Sequence, residues 1–229
     1  MNHSLLAIIL PLSLCAFAAA QTTPPATFVQ RLQSGKPQKI VFYGTSLTHY
    51  GAWTKRLTDV LDKQFPHLVT TFNGGQSGEM SRWGLEHLKE RVLDERPDVV
   101  FLEYSTNDSV ERFHLSLDES RKNLETIIDQ IRAARPNCQV ILQVMNPVIG
   151  RPVGDAGHRV DLDKYQQVIR DVGKARGLLV IDHMPAWQRL LDQGEGEFKK
   201  YVPDGLHPGG PGIDKYMMPT LLAALGLKA

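Results

Sequence analysis

Apolar residues along this chain fall into two alternating patterns, and the alternation carries most of what can be read about its fold. Short, near-continuous apolar runs occupy 39–43 (KIVFY), 68–72 (LVTTF), 98–104 (DVVFLEY), 139–145 (QVILQVM) and 178–182 (LLVID). Their length and β-branched content suit strands buried on both faces, as in a parallel sheet. Between them, apolar side chains recur at three- and four-residue spacing. Trp53, Leu57, Val60 and Leu61 share one stripe. Leu124, Ile127, Ile128 and Ile131 form a second within Leu117 to Ala134, and Tyr165, Val168, Ile169 and Val172 a third that Gly177 ends. Five β-α alternations imply right-handed crossovers with helices on both faces of the sheet. The pattern predicts one three-layer α/β/α domain over residues 21–229, with no internal repeat or linker dividing it.

Residues 1–20 stand outside that pattern. Leu5 to Phe17 is an apolar run too short to span a bilayer, and Ala18-Ala19-Ala20 supplies small residues for cleavage. The expectation is an export signal with a mature chain starting at Gln21, the alternative being an uncleaved membrane anchor. A bulky Leu14 before Cys15 argues against a lipoprotein. Residues 21–37, rich in Thr, Pro and Gln, read as a short leader into the fold. Cleavage would leave Cys138 as the lone cysteine, a packed small hydrophobe rather than a reactive thiol, with no intramolecular disulfide.

The whole chain has 229 residues, 42% hydrophobic and 22% charged, a size and balance that suit one soluble core. A net charge of +1 provides no basic field for nucleic acid and no polybasic strip for anionic lipid. Neither nucleic acid nor a stable membrane association after cleavage is therefore expected.

The polar content concentrates just after the apolar runs, where the carboxyl ends of parallel strands gather reacting groups. These stretches are Gly44-Thr45-Ser46-Leu47-Thr48, Asn73-Gly74-Gly75-Gln76-Ser77-Gly78-Glu79, Ser105-Thr106-Asn107-Asp108 and, near the C-terminus, Asp204-Gly205-Leu206-His207-Pro208. A serine hydroxyl is a poor nucleophile until a base takes its proton, so Ser46 needs an imidazole. His207 can be that base, with Asp204 fixing its tautomer, in the chain order Ser…Asp…His. Attack on an acyl carbon creates an oxyanion that needs preorganised donors. The Ser46 N–H, a glycine N–H of the second stretch and the Asn107 side-chain amide are the candidates.

With these four blocks in this order, the chain resembles the SGNH hydrolase superfamily, also called GDSL esterases/lipases. The resemblance implies a flavodoxin-like fold with a five-stranded parallel sheet and hydrolysis of carboxylic esters, in some members thioesters. By position it makes Ser46 the nucleophile, Gly78 the second-block oxyanion glycine, Asn107 the third-block asparagine, and Asp204 and His207 the acid and base. Gly74 and Gly75 remain rival oxyanion donors. Two positions depart from the family pattern: Thr45 stands where the family has Asp, and Ser105-Thr106-Asn107-Asp108 replaces Gly-x-Asn-Asp. Either departure could reshape the acyl pocket.

Thr45, Trp83 and Asn146 are the expected substrate contacts, and Glu103, Met145 and Arg151 could also line the pocket. Trp53, Trp83 and Trp187 offer ring faces for a sugar, although aromatics at helical spacing more often belong to the core. His49 is expected at the surface or at a helix start. The remaining histidines (His67, His87, His114, His158 and His183) lack metal-ligand spacing, and no lysine-bearing phosphate loop is present, so neither metal nor cofactor is expected. The resulting expectation is an exported serine esterase for a small-molecule or polysaccharide ester, with short acyl groups on carbohydrate preferred. A lipid-type esterase or thioesterase is the enzymatic alternative, and a non-catalytic carbohydrate-binding protein the alternative of another class. Oligomeric state is not legible.

Overall fold

The computed structural model describes residues 27–228. The 1–20 segment, with its expected export signal, lies outside them. Five strands, β1 (Gln38–Gly44), β2 (Val69–Asn73), β3 (Val99–Glu103), β4 (Gln139–Val144) and β5 (Leu179–Asp182), form one sheet in the order β2-β1-β3-β4-β5. Every pairing is parallel. The helices are α1 (Phe28–Gln33), α2 (Ser46–His49), α3 (Trp53–Gln64), α4 (Ser81–Glu86), α5 (Ser105–Asp108), α6 (Leu117–Ala134), α7 (Leu162–Arg176), α8 (Met184–Leu191), α9 (Glu195–Lys199), α10 (Gly210–Gly212) and α11 (Met218–Leu225).

Strand side chains alternate between two cores because the pleat has period two. Ile40, Phe42, Val99 and Phe101 point to one face and meet Trp53, Leu57 and Leu61 of α3 together with α1, α8, α9 and α11. Val41, Tyr43, Val100 and Leu102 point to the other and meet Leu124, Ile127, Ile128 and Ile131 of α6 and Val168, Ile169 and Val172 of α7. Each such buried aliphatic contributes on the order of 1.5–3 kcal/mol. The helical stripes read from the sequence are thus the faces that pack. The 68–72 run differs from expectation: β2 is an edge strand, and Thr70 and Thr71 are exposed rather than buried on both faces. With one neighbour instead of two, an edge strand can carry polar residues.

β1 and β3 are neighbours, and the connections leaving them diverge to opposite faces, which opens a crevice beyond their carboxyl ends. A buried polar layer closes the sheet at this edge. Glu103, the last residue of β3, is fully buried and accepts hydrogen bonds from the Thr45 N–H (2.7 Å), the Thr48 hydroxyl (2.8 Å) and the Thr45 hydroxyl (3.1 Å). Burial pushes its carboxyl up from 4.5 to about 7, against the pull of those three donors. Asp108, also buried, accepts from the Ser81 N–H (2.7 Å) and the Ser120 hydroxyl (2.5 Å), and burial raises it to about 6.

Two outcomes follow from this packing. A Cβ on Gly173 of α7 would lie 2.1 Å from Val180 Cγ2 on β5. Gly173→Ala should therefore lower stability by about 1–2 kcal/mol despite alanine's better helix propensity, as read from urea unfolding. For Glu103 the folded state holds the proton more tightly than the unfolded chain does. Its contribution is therefore complete below pH 4.5 and disappears as pH rises through about 7. Glu103→Gln keeps the acceptor and removes the titration. The decline in unfolding free energy between pH 4.5 and 7 should flatten in this variant, leaving the portion that Asp108 contributes below pH 6.

Candidate active site

β1 ends at Gly44 and the chain turns directly into α2, so Ser46 occupies the first helical position just beyond the sheet edge. The turn demands glycine at 44, since a Cβ there would sit 2.3 Å from Glu103 Oε1. Thr45 caps the helix, its Oγ1 accepting from the Leu47 N–H at 3.2 Å. Glu103 grips the same residue from below, so both sides of the turn that carries Ser46 are fixed.

The C-terminal turn reaches Ser46 from 161 residues away in sequence. The Ser46 hydroxyl lies 2.8 Å from His207 Nε2, and His207 Nδ1 lies 2.6 Å from Asp204 Oδ2. A carboxylate only accepts, so Nδ1 carries the ring proton and the unprotonated Nε2 faces the Ser46 hydroxyl. Asp204 Oδ1 also accepts from the Leu206 N–H (2.9 Å) and the His207 N–H (2.7 Å), which draws the acid and the imidazole, three residues apart, onto one point. Gly205 permits the bend with φ +76°, packed where a Cβ would meet the Ile149 carbonyl at 2.4 Å. Partial burial alone would raise the Asp204 carboxyl. The hydrogen bonds from His207 and Leu206 and the nearby imidazole outweigh it and hold the group below the ordinary aspartate value. The side chains of His207 and Asp204 are 43% and 44% exposed, so the arrangement stands open to solvent.

Three donors face the same space. The Ser46 N–H begins a helix and has no intrahelical acceptor. The Gly78 N–H makes no hydrogen bond among the described residues, whereas the rival glycines are committed: Gly74 N–H donates to the Phe42 carbonyl (2.9 Å) and Gly75 N–H to Asn73 Oδ1 (3.0 Å). Gly78 also has φ +81°, a backbone region that favours glycine. Asn107 Oδ1 receives Arg159 Nη2 at 3.3 Å, and a guanidinium can only donate, so the amide orientation is determined. Its Nδ2 then gives one proton to the Glu79 carbonyl (2.8 Å) and leaves the second free.

Two cavities meet at Ser46. The first, about 180 Å³, is walled by Leu47, Trp53, Met145, Ile213 and Met217 and is apolar. The second, about 320 Å³, holds Ser46, Gly78, Asn107 and His207 together with Arg112 and Arg159. Tyr50, 75% exposed and stacked 4.3 Å from His49, borders both.

The expected substrate contacts Thr45, Trp83 and Asn146 line neither cavity. Thr45 is buried with its hydroxyl turned into Glu103. Trp83 packs on Tyr43 and His87 under the Arg91 guanidinium, so its ring belongs to the layer behind the second-block loop. Asn146 is buried and donates to the Leu206 carbonyl (2.9 Å), holding the His207 turn. Glu103 and Arg151 likewise line neither cavity, while Met145 does. Trp187 lies in the core, whereas buried Trp53 forms part of the apolar wall. His49 is a tie between loops, its Nδ1 accepting from the Ser77 N–H at 3.2 Å. Cys138 is buried, and that burial pushes its thiol up to about 12.

Sequence reasoning passed over Tyr50, Arg112 and Arg159. Tyr50 had a usable signal, standing one helical turn after Ser46. Arg159 reaches the site only through the long loop after β4, whose path no local pattern encodes.

Residues 41–214 match the model of the GDSL-like Lipase/Acylhydrolase family, a span that includes Ser46, Gly78, Asn107, Asp204 and His207. No curated protein matches the chain's sequence. Solved structures share the fold at low identity. A protein described as a GDSL-like lipase from Parabacteroides merdae aligns with TM-score 0.72 and 19% identity over 84% of this chain and 97% of that one. An acetylxylan esterase from Geobacillus stearothermophilus aligns with TM-score 0.70 and 21% identity, covering 84% and 96%. An alpha/beta hydrolase from the metagenome of Lake Arreo, Spain, gives 0.69 and 23%, covering 83% and 96%. The family match, joined to the parallel five-stranded fold with its site at the carboxyl edge, establishes that the protein belongs to the GDSL-like lipase/acylhydrolase family.

Proposed function

We propose that this protein is an exported serine esterase that cleaves short-chain, chiefly acetyl, esters of carbohydrate through an acyl-enzyme. One observation carries the reading: the hydrogen-bonded series Ser46–His207–Asp204 opens onto the same cavity as three convergent donors. His207 Nε2 takes the Ser46 proton as Oγ bonds to the acyl carbon, and the carbonyl electrons move onto oxygen. The N–H groups of Ser46 and Gly78 and the Asn107 amide stabilise that oxyanion. Collapse expels the alcohol, protonated by the imidazolium. Water, deprotonated by the same imidazole, then attacks the acyl-serine and releases the acid.

Substrate class is supported by shape. An open triad admits a chain or branched polymer, and Tyr50 presents an aromatic face at its rim. The fold shared with an acetylxylan esterase points the same way. The apolar cavity, about 180 Å³, compares with the ~150 Å³ that accommodates a benzene molecule, so acyl groups of up to roughly six carbons fit. That same cavity is the observation favouring the alternative, an esterase for longer, lipid-type acyl chains. Export rests on the Leu5–Phe17 run and the alanines after it.

Ser46→Ala should lower turnover of p-nitrophenyl acetate by at least ~10³-fold with the fold retained. Asn107→Ala should cost about 10²–10³-fold, mostly in kcat. Near-normal hydrolysis by a folded Ser46→Ala protein would refute the mechanism. Across p-nitrophenyl acyl esters, rates should peak between acetate and hexanoate, and a maximum beyond octanoate would favour the lipid-type reading.

A further inference from the structure

Resting on the esterase reading above, we infer that the natural ester carries an anionic oxygen group, a carboxylate or a phosphate, bound by Arg112 and Arg159 in the wider cavity beside Ser46. The substrate is then an acylated acidic saccharide rather than a neutral one.

Among the described residues no acidic side chain lines this cavity, yet two guanidiniums do. Arg159 is half-buried, with Nε on the Thr106 carbonyl (2.8 Å), Nη1 on the Gly157 carbonyl (2.7 Å) and Nη2 on Asn107 Oδ1 (3.3 Å). All three acceptors are neutral, so the side chain is held in place while its charge is left uncompensated by contact. Burial, then the neighbouring Arg151, lowers it to about 10, which still leaves it cationic at neutral pH. The acids that oppose this shift, Asp155 and Asp204, are engaged elsewhere. Asp155 accepts from the Gly157 N–H and faces Arg151 at 3.8 Å, while Asp204 serves His207. Arg112 rests its guanidinium 5.0 Å from the Phe113 ring centre and makes no ion pair among the described residues.

The two arginines are also set in register. The Glu111 N–H donates to the His158 carbonyl (3.0 Å) and the Val160 N–H to the Ser109 carbonyl (2.9 Å), around an antiparallel bridge of Val110 with Arg159. This short pairing holds the segment that carries Arg112 against the one that carries Arg159. A guanidinium matches carboxylate and phosphate in shape, and a cleft lined by one sign of charge focuses its field on the entering ligand. A neutral sugar would leave both charges unanswered.

The test compares acetylated methyl glucuronoside, acetylated glucose 6-phosphate and acetylated methyl glucoside. The wild-type enzyme should favour at least one anionic ester by ~10-fold or more in kcat/KM at low salt, the advantage shrinking as ionic strength rises. Whichever anion leads identifies the group. Arg112→Gln should raise KM for that ester and bring the anionic-to-neutral ratio towards one. Titration of the wild-type protein with the corresponding unacetylated compounds should give the same ranking without turnover. Equal rates and equal or undetectable binding would overturn anion recognition while leaving ester hydrolysis intact. Failure to cleave any of the three esters, with the anionic ranking kept in the titration, would instead refute the esterase reading and uphold the anion site.

Discussion

Parallel pairing is the constraint on which this molecule depends. Two parallel strands cannot be joined by a tight turn, so each connection must travel back along the sheet, and all five strands finish at the same edge. β1 delivers Ser46 there, β2 the Asn73–Glu79 loop and β3 Asn107. The Asp204–His207 turn arrives later, after α8 and α9. Groups separated by up to 161 residues become neighbours because topology leaves them one edge to share.

Convergence alone would leave a cluster of loops. The polar contacts beneath them fix the position of each group, and in any enzyme a misplacement of about 1 Å can cost ~10²-fold. The Asn73 side chain donates to the Thr48 (3.0 Å) and His49 (3.2 Å) carbonyls, joining the second loop to the end of α2. Asn146 holds the His207 turn, and Arg159 orients Asn107. Glu103 anchors the turn before Ser46. Threonine at 45, where the family has Asp, lets a carboxyl from the next strand accept its N–H and hydroxyl together. The departure from the family pattern is thereby absorbed into the support of the turn that carries Ser46.

The two cavities divide the environment of Ser46 by polarity. An apolar wall built from Trp53, Met145 and Met217 faces a cationic one bearing Arg112 and Arg159. Tyr50 borders both cavities. The residues that distinguish the two cavities lie outside the four blocks, on the helix following Ser46, the turn following Asn107 and the long loop after β4.

The sequence by itself determined the strands, the helix faces and the members of the Ser46–His207–Asp204 series. Period-two and period-3.6 patterns report directly which side of an element is buried, as Leu124, Ile127, Ile128 and Ile131 illustrate. The four polar blocks were readable because each is local and follows a strand. Only the tertiary structure decided what each side chain of the rim touches. Thr45, Trp83 and Asn146 occupy positions next to the site, and the chain's path turns them onto Glu103, Tyr43 and Leu206. Which of the Gly75 and Gly78 N–H groups is already spent, here Gly75 on Asn73, was likewise decided there. A local pattern specifies burial, because burial depends on an element's own periodicity. It cannot specify partners, because those depend on how distant loops cross.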